Sequence, residues 1–299
     1  MATIYCSKSN DPYQNIASEY SILKQLDGPA LFLWSNRPCV IAGKNQNTYA
    51  EWNLDYVRQL NILPVRRMTG GGCVYQDLGN LNFSFFDTKE TSNEKNLSFI
   101  IKALKKFDVD ATISGRNDLC IKDKKFGGTA YLSEDGKCLV HGTLMVDVNI
   151  DTLTKVLQPN LKKYEDRGIS SVRSRVINLS TVSGTINVTA LSEAIIEVFK
   201  DEFKNVQIKE APINLPLSMK LSSREWIYGD YANGELEFHC KIENGVVTAV
   251  ITAYNGIINQ VKVYTDSMDI ELAEELEKHL RNKPVEKIEY YIKEYVNHM

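Results

Sequence analysis

"RRMTGGGCVYQDLGNLNFSFF", residues 66–86, sets two arginines almost against three consecutive glycines and follows them with a strand-like segment. Gly70, Gly71 and Gly72 remove side chains from three adjacent positions and permit backbone angles that other residues avoid. Such a run costs conformational entropy, and two uses offset it: a bend or bulge in a strand, or a ligand lying directly on the main chain. Backbone N–H groups exposed in this way receive phosphate oxygens, and a guanidinium pairs with phosphate through two parallel hydrogen bonds. Arg66 and Arg67 are therefore candidate anion partners. The spacing is neither GxGxxG nor GxxxxGK[ST], which excludes the two commonest phosphate loops. From this stretch alone, tight turn and ligand loop stand even.

A second stretch shifts the balance. "GRNDLCIKDKKFGGTAY" (115–131) again sets cations, Lys124 and Lys125, against paired glycines, Gly127 and Gly128. Asn117 and Asp118 offer oxygen ligands suited to Mg²⁺, which takes carboxylate together with phosphate and water. "HGTLMV" (141–146) puts His141 and Gly142 at the start of an apolar strand. Arginines, a lysine, an Asn-Asp pair and two glycine loops together suggest activation of an acid by a nucleotide. Singly each residue is weak: Lys125 alone reads as a solvated surface lysine.

The bulk numbers exclude several classes. The 299 residues suffice for one large domain and a small one, or two medium ones, with a proper core. A net charge of −3 and a pI near 5.9 argue against a nucleic-acid binder relying on overall basicity. The first residues lack a basic start followed by an apolar core, and no apolar run reaches the ~18 residues of a membrane span. Cys6, Cys39, Cys73, Cys120, Cys138 and Cys240 form no CxxC and sit at no metal-ligand spacing with the four histidines. Scattered cysteines of this kind read as reduced thiols of a cytoplasmic protein.

Asp11-Pro12 opens a helix carrying Ile16, Ala17, Tyr20, Leu23 and Leu26 on one face and ending at Gly28-Pro29. "ALFLWS" and "CVIAG" are short strands, and helices are expected near 95–107 and 189–203. "DLCIKDKKFGGTAYL" and "CLVHGTLMVDV" read as neighbouring strands around a turn at Ser133 to Lys137. A hairpin signal at Tyr254-Asn255-Gly256 is followed by two helices, one with Leu272, Leu276 and Leu280, the other starting at Pro284. The turn-rich "YGDYANGE" (228–235) marks a boundary near residue 232, giving domains 1–232 and 233–299.

The chain resembles the lipoate-protein ligases. "RRMTGGGCVYQDLGNLNFSF", "SGRNDL", "KKFGGTAY", "HGTLMV" and "GISSVRSRVINL" match that family's signatures in order, and "NIASEY", "PCVIAGKNQN" and "VYTDSM" extend the match over nearly the whole chain. The resemblance implies an α+β fold. Its catalytic domain, related to biotin ligases and class II aminoacyl-tRNA synthetases, has mixed sheets flanked by helices, and a small α+β C-terminal domain follows. It implies two half-reactions: lipoate and ATP give lipoyl-AMP and pyrophosphate, then a lysine amine of a lipoyl domain attacks the mixed anhydride. The acceptors implied are the acyltransferase subunits of 2-oxoacid dehydrogenase complexes and the glycine-cleavage H protein, in lipoate scavenging. ATP and Mg²⁺ are the implied nucleotide and metal, and a cytoplasmic monomer is expected.

Carried over by position, the resemblance assigns nucleotide binding to Arg67, Lys125 and the main chain of Gly72, Cys73, Val74 and Tyr75. Lipoate binding falls to Gly71, Gly72, Lys125 and His141, with Lys125 catalytic through its contacts to acyl carbonyl and phosphate. Asn117 and Asp118 are candidates for holding the metal or the adenylate, and a structural role for His141 stands beside the functional one. Lys162, Lys163, Arg173 and Arg175 are candidates for a basic face that steers an acidic acceptor. The accessory domain is expected to move between half-reactions about a hinge at 228–235, where Gly229→Pro and Gly234→Pro should slow turnover.

Departures count as well. The family commonly has Ala-Val-(Phe/Tyr)-His after the glycines, whereas this chain has Cys73-Val74-Tyr75-Gln76. Gln76 is a neutral amide where a titratable imidazole is usual. Cys73 reads as a small buried residue in place of alanine rather than as a nucleophile. The alternative is a transferase of the same superfamily that moves lipoyl or octanoyl groups through a cysteine thioester. Its cysteine follows the strand equivalent to "HGTLMV", but this chain has none between Cys138 and Cys240. The GRGRxG-type loop of biotin ligases is also missing.

Overall fold

The computed structural model describes residues 1–88, 93–115, 117–157, 175–228, 236–254 and 257–298. Its strands in chain order are β1 (Ala2–Cys6), β2 (Ala30–Trp34), β3 (Cys39–Ala42), β4 (Leu63–Arg66), β5 (Val74–Gln76), β6 (Asn80–Asp87) and β7 (Thr112–Ser114). They continue with β8 (Asp118–Ile121), β9 (Lys124–Glu134), β10 (Lys137–Met145), β11 (Val206–Glu210), β12 (Leu236–Ile242), β13 (Gly245–Tyr254) and β14 (Ile257–Thr265). Eight form one mixed sheet in the order β11-β1-β2-β6-β10-β9-β8-β7. β1 runs parallel to both β11 and β2, and the remaining pairs are antiparallel. A small sheet, β4-β3-β5, carries the approach to the glycine run, and β12-β13-β14 form a third.

Strand alternation divides the large sheet into two faces. Leu31 and Leu33 of β2 and Leu81, Phe83 and Phe85 of β6 pack against helices Asn93–Lys105 and Val188–Glu202 through Leu97, Ile100, Leu191, Ile195 and Phe199. Ala30, Phe32, Trp34 and Phe86 share a second cluster with Ile22 and Leu23 of the helix Pro12–Lys24. Between Leu81 and Phe85, however, Asn82 and Ser84 are 1% and 0% exposed. A strand that buries polar side chains on one face needs partners there, and this face becomes the floor of the site.

The α+β architecture matches the sequence expectation, and the differences are local. The Asp11 carboxylate caps the first helix, accepting from the N–H groups of Tyr13 and Gln14. That helix ends at Lys24, so Leu26 lies beyond it yet still packs on the same cluster. "DLCIKDKKFGGTAYL" is two antiparallel strands, β8 and β9, because Lys122 takes a left-handed φ of 54° and reverses the chain. The β9–β10 turn uses Asp135 and Gly136, both at positive φ, as a two-residue hairpin requires. A 3-10 turn, Val285–Lys287, stands between Pro284 and the last helix, Ile288–Asn297.

The C-terminal sheet and the helices Leu272–Leu280 and Ile288–Asn297 enclose a separate cluster built on Val247, Ile251, Leu276 and Ile292. The boundary expected near 232, the hinge glycines Gly229 and Gly234, and the Asn255-Gly256 turn lie outside the described residues, as do Lys162, Lys163 and Arg173. No described helix is long and apolar enough to cross a membrane.

Candidate active site

One register row crosses four strands: Trp34 of β2 pairs with Asn82 of β6, Asn82 with Thr143 of β10, and Thr143 with Gly128 of β9. All four line a cavity of about 150 Å³, a size at which protein cavities take small hydrophobic molecules. Ile16 and Glu19 of the first helix form part of its wall, and Arg67, Gly71, Gly72 and Met268 form another. The sheet's polar face and the glycine run thus meet in a single cavity.

The three glycines answer to three different constraints. A Cβ on Gly70 would stand 2.5 Å from the Ser267 carbonyl oxygen and 2.7 Å from that of Met268. Gly71 holds a φ of +88°, its N–H donates to the Ser267 carbonyl at 3.0 Å, and a Cβ there would meet the Arg67 guanidinium at 2.9 Å. Around Gly72 nothing lies within 4 Å of a would-be Cβ. Gly70 and Gly71 therefore fit the loop to the C-terminal unit, and Gly72 presents open main chain to the cavity. Further ties run between the two units: Gln46 Nε2 donates to the Thr265 carbonyl, and Asn45 Nδ2 to that of Ile270.

Arg66 and Arg67 part company because adjacent strand residues face opposite ways. Arg66 does not reach the cavity, which corrects its reading as an anion partner. Its guanidinium is spent on the carbonyls of Gly43, Lys44, Gln46, Trp226 and Ile227, at 2.8–3.1 Å. It ties the 43–46 loop to the helix Arg224–Tyr228, whose C-terminal carbonyls favour a cation. Arg67 lines the cavity, and its Nε donates to Thr69 Oγ1 at 2.9 Å and its Nη2 to the Gly70 carbonyl at 2.5 Å. No carboxylate among the described residues forms an ion pair with it. Burial pulls its pKa down to about 10, against smaller upward pulls from Cys73 and Glu19, and an anionic ligand would add a direct counter-charge.

Behind Arg67 runs a buried chain of hydrogen bonds. His141 Nδ1 lies 2.8 Å from Glu19 Oε1, and its Nε2 lies 2.9 Å from Thr69 Oγ1. A carboxylate only accepts, so Nδ1 carries the hydrogen. With its hydrogen on Nδ1, a neutral His141 accepts at Nε2 from the Thr69 hydroxyl, whose oxygen also accepts from Arg67 Nε. Ser84 Oγ donates to the same Glu19 oxygen. His141 thus lines the cavity while serving as the link between Glu19 and the loop. A second chain runs from Asn15 Nδ2 to Asn36 Oδ1 and from Asn36 Nδ2 to Gln76 Oε1, both at 2.8 Å. The amide at 76 is an acceptor in that chain.

Lys125 sits at the other end of the row. Its Nζ pairs with Asp118 Oδ1 at 2.6 Å, and Gly128 makes room for it, since a Cβ there would stand 3.1 Å from Nζ. Gly142 is needed for the same crossing, where a Cβ would meet the Gly128 carbonyl at 2.6 Å. Lys124 is exposed. Cys73 and Val74 line the cavity, and Cys73 Sγ donates to Gln46 Oε1 at 3.8 Å. The Tyr75 side chain points the other way into the Val40, Ala42 and Trp52 cluster, its hydroxyl donating to Asp77. Tyr75 itself does not line the cavity, although its neighbours Val74 and Gln76 do.

For Mg²⁺, Asn117 lines the cavity but donates its Nδ2 to the Thr129 carbonyl at 3.2 Å, and Asp118 holds Lys125. The described residues contain no group of three or more His, Cys, Asp or Glu side chains fit for a metal. One carboxylate with an amide neighbour still suits this ion, which is commonly held by one or two carboxylates plus substrate phosphates.

Of the cavity's polar residues, Glu19, Trp34, Asn36, Asn82, Thr129 and Thr143 are missing from the sequence-derived candidates, as is Met268. Asn82 and Ser84 had a signal in "NLNFSFF", where polar residues alternate with apolar ones in a strand buried on both faces.

The chain is similar to known proteins over most of its length. Residues 11–200 match the family described as "Lipoyl protein ligase A/B catalytic domain", and residues 229–297 match "Bacterial lipoate protein ligase C-terminus". A lipoate-protein ligase A of Bdellovibrio bacteriovorus is 34% identical over 307 residues, covering 94% of this chain and 87% of that one. The crystal structure of P. falciparum LipL1 in complex with lipoate superposes with a TM-score of 0.80 at 27% identity, over 95% of this chain and 90% of that one. A bipartite lipoate protein ligase from Thermoplasma acidophilum, studied with its E2 lipoyl domain, gives a TM-score of 0.65 at 25% identity, over 79% and 98%.

Proposed function

The chain belongs to the lipoate-protein ligase family, and from that premise we propose that it activates lipoate with ATP and transfers the lipoyl group to a lysine of a lipoyl domain. The observation that carries this reading is the meeting, in one cavity, of open main chain at Gly72, the buried Arg67 cation with no ion pair among the described residues, and the Lys125 ammonium.

In the first half-reaction a lipoate carboxylate oxygen bonds to the α-phosphorus of ATP and pyrophosphate leaves. Negative charge builds on the α-phosphate as the two anions meet, and preset cations stabilise such charge without reorganising. Arg67, fixed by Thr69 and Gly70, supplies one. Lys125 supplies the other, held by Asp118 until ligand oxygens compete for its hydrogens. In the second half-reaction the acceptor amine adds to the acyl carbonyl and AMP departs. Lys125 near that carbonyl offsets the oxyanion. The N–H groups of the Gly72–Val74 stretch are the donors proposed for phosphate. Mg²⁺, held by Asp118 with Asn117 beside it, would neutralise phosphate charge when bound. Met268 brings the C-terminal unit to the cavity wall, where it would help exclude water from a hydrolysable anhydride.

A cytoplasmic monomer acting on acyltransferase subunits of 2-oxoacid dehydrogenase complexes and on the glycine-cleavage H protein, in lipoate scavenging, completes the reading. The buried thiols of Cys39, Cys120 and Cys240, none in a disulfide, support a reducing compartment. The thioester alternative fares worse, since His141, the cavity histidine, has both ring nitrogens engaged by Glu19 and Thr69.

ATP-pyrophosphate exchange tests the reading: it should require lipoate, whereas a thioester transferase or a binding protein gives none. Lys125→Ala should lower exchange at least ~100-fold, the scale of one preorganised charge-stabilising group. Lys125→Arg should fail as well, because a planar fork does not replace a compact ammonium. Near-normal exchange in either variant would remove Lys125 from its role.

A further inference from the structure

The loop 43–46 lies between the glycine run and the C-terminal unit, and it is engaged on both sides. Toward the catalytic domain, Lys44 N–H donates to the Thr69 carbonyl at 2.8 Å, and Arg66 Nη1 donates to the carbonyls of Gly43, Lys44 and Gln46. Gly43 packs so closely that a Cβ there would collide with the Gly71 carbonyl. The loop is thereby a fixed platform. Toward the C-terminal unit, Thr265 N–H donates to the Asn45 carbonyl at 3.1 Å and Asn45 Nδ2 to the Ile270 carbonyl at 3.0 Å. Gln46 Nε2 donates to the Thr265 carbonyl at 2.6 Å. Both main-chain groups of Thr265, the last residue of β14, are thus held by two consecutive residues of one loop.

This seam is buried: Gln46 is 3% exposed, and Thr265 and Ser267 are 2% exposed each. Polar groups are buried where each meets a partner, so the seam fits in one arrangement only. Thr265 leads into Ser267, whose carbonyl accepts from Gly71 N–H, and into Met268, which forms part of the cavity wall. Ser267 N–H donates back to Thr265 Oγ1 and Asp269 N–H to Ser267 Oγ, so fixing Thr265 fixes the turn that carries Met268. Neither Asn45 nor Gln46 lines the cavity. Resting on the acid-activation reading above for its chemical consequence, we propose that Gln46, with Asn45, is a positioning residue. It clamps the segment 265–268 over the cavity and keeps water off the activated acid. Without the clamp, water adds to the acyl carbonyl of the anhydride and the bond from that carbon to the phosphate oxygen breaks. Lipoate and AMP then leave with no acceptor modified.

The variants that test this are Gln46→Met, which keeps the length of the side chain without its donor, and Asn45→Ala at the half-buried position beside it. Deuterium uptake without ligands reads the clamp. AMP release from lipoate and ATP without acceptor, divided by the rate of ATP-pyrophosphate exchange, reads the water. In Gln46→Met the Gly71 amide, bonded to the Ser267 carbonyl, should take up deuterium about tenfold faster, the scale of one buried hydrogen bond lost. Strands β2 and β6 should keep their protection, and the AMP ratio should rise by a similar factor. Asn45→Ala should move both readouts in the same direction, and it decides the matter if Gln46→Met folds poorly by thermal melting. Unchanged uptake at Gly71 in folded variants, or equal acceleration across β2 and β6, overturns the clamp. Faster uptake at Gly71 with an unchanged AMP ratio overturns its role in excluding water. Absence of lipoate-dependent pyrophosphate exchange in the wild type overturns the activation reading, and deuterium uptake then still decides the clamp.

Discussion

Replacing Gly70 by alanine should loosen the C-terminal unit from the glycine run, and the size of the effect follows from the geometry. The added methyl would stand 2.5 Å from the Ser267 carbonyl oxygen. Ordinary contact begins at 3.4 Å, so the two segments must part by about 0.9 Å. The neighbouring bond from Gly71 N–H to that same oxygen is 3.0 Å long, and a stretch of that size takes it past the ~3.2 Å limit of a useful hydrogen bond. Either the overpacking is borne, at about 1–3 kcal/mol, or the bond is lost and a buried donor stranded at a similar cost. Gly70→Ala should therefore lose about 2 kcal/mol in urea unfolding. Gly72→Ala is the control: with nothing within 4 Å of its Cβ, stability should hold or rise by up to ~1 kcal/mol through the unfolded chain. Its nucleotide affinity, read by titration calorimetry, should nevertheless fall, because the methyl stands where the ligand meets main chain. Equal stability in the two variants would refute the division of labour among the glycines, and undiminished nucleotide binding by Gly72→Ala would refute the ligand loop.

Four further variants test the site and its surroundings. Arg66→Met strands the carbonyls of two segments and should lose about 3 kcal/mol or more. Arg67→Met removes a buried cation with no ion pair among the described residues, so stability should hold or improve while exchange falls ~100-fold; the reverse pattern would mean the two arginines are misassigned. Glu19→Leu leaves His141 Nδ1–H and Ser84 O–H without their shared acceptor and should cost about 3 kcal/mol in urea unfolding. An unaffected unfolding midpoint would show that the chain behind Arg67 contributes nothing. Tyr13 has its pKa raised from 10.0 to about 12, first by burial and then by Asp11. The unfolded phenol ionises near pH 10 and the folded one near 12, so Tyr13 adds stability below pH 10 that is lost as pH rises to 12. Urea midpoints across that window should decline less steeply in Tyr13→Phe, and equal slopes would contradict the shift.

What the sequence made legible was local. Asp11-Pro12 marked a helix start, Asp135-Gly136 sits in the turn expected between β9 and β10, and the 3.6-residue spacing of Leu191, Ile195 and Phe199 gave a buried helix face. The β8–β9 reversal was hidden because Lys122, no turn former, takes the left-handed conformation there. Of two adjacent arginines, periodicity says only that they face opposite ways, and which one faces the cavity depends on Trp226 and Ile227, about 160 residues away in the chain. Glu19 was invisible for the same reason: its histidine lies 122 residues downstream. The signatures picked out Gly72, Lys125 and His141 without indicating that Lys125 rests on Asp118 or that His141 reaches Arg67 through Thr69.

Because one register row of cavity-lining residues crosses four strands, from Trp34 to Gly128, the β-ladder graduates the cavity in steps of about 4.8 Å. A relative adapted to longer or shorter acids need not rebuild its scaffold. Exchanging the side chain at one graduation, Trp34 on β2 or Asn82 on β6, would change the cavity's length by one strand while leaving Arg67 and Lys125 in place.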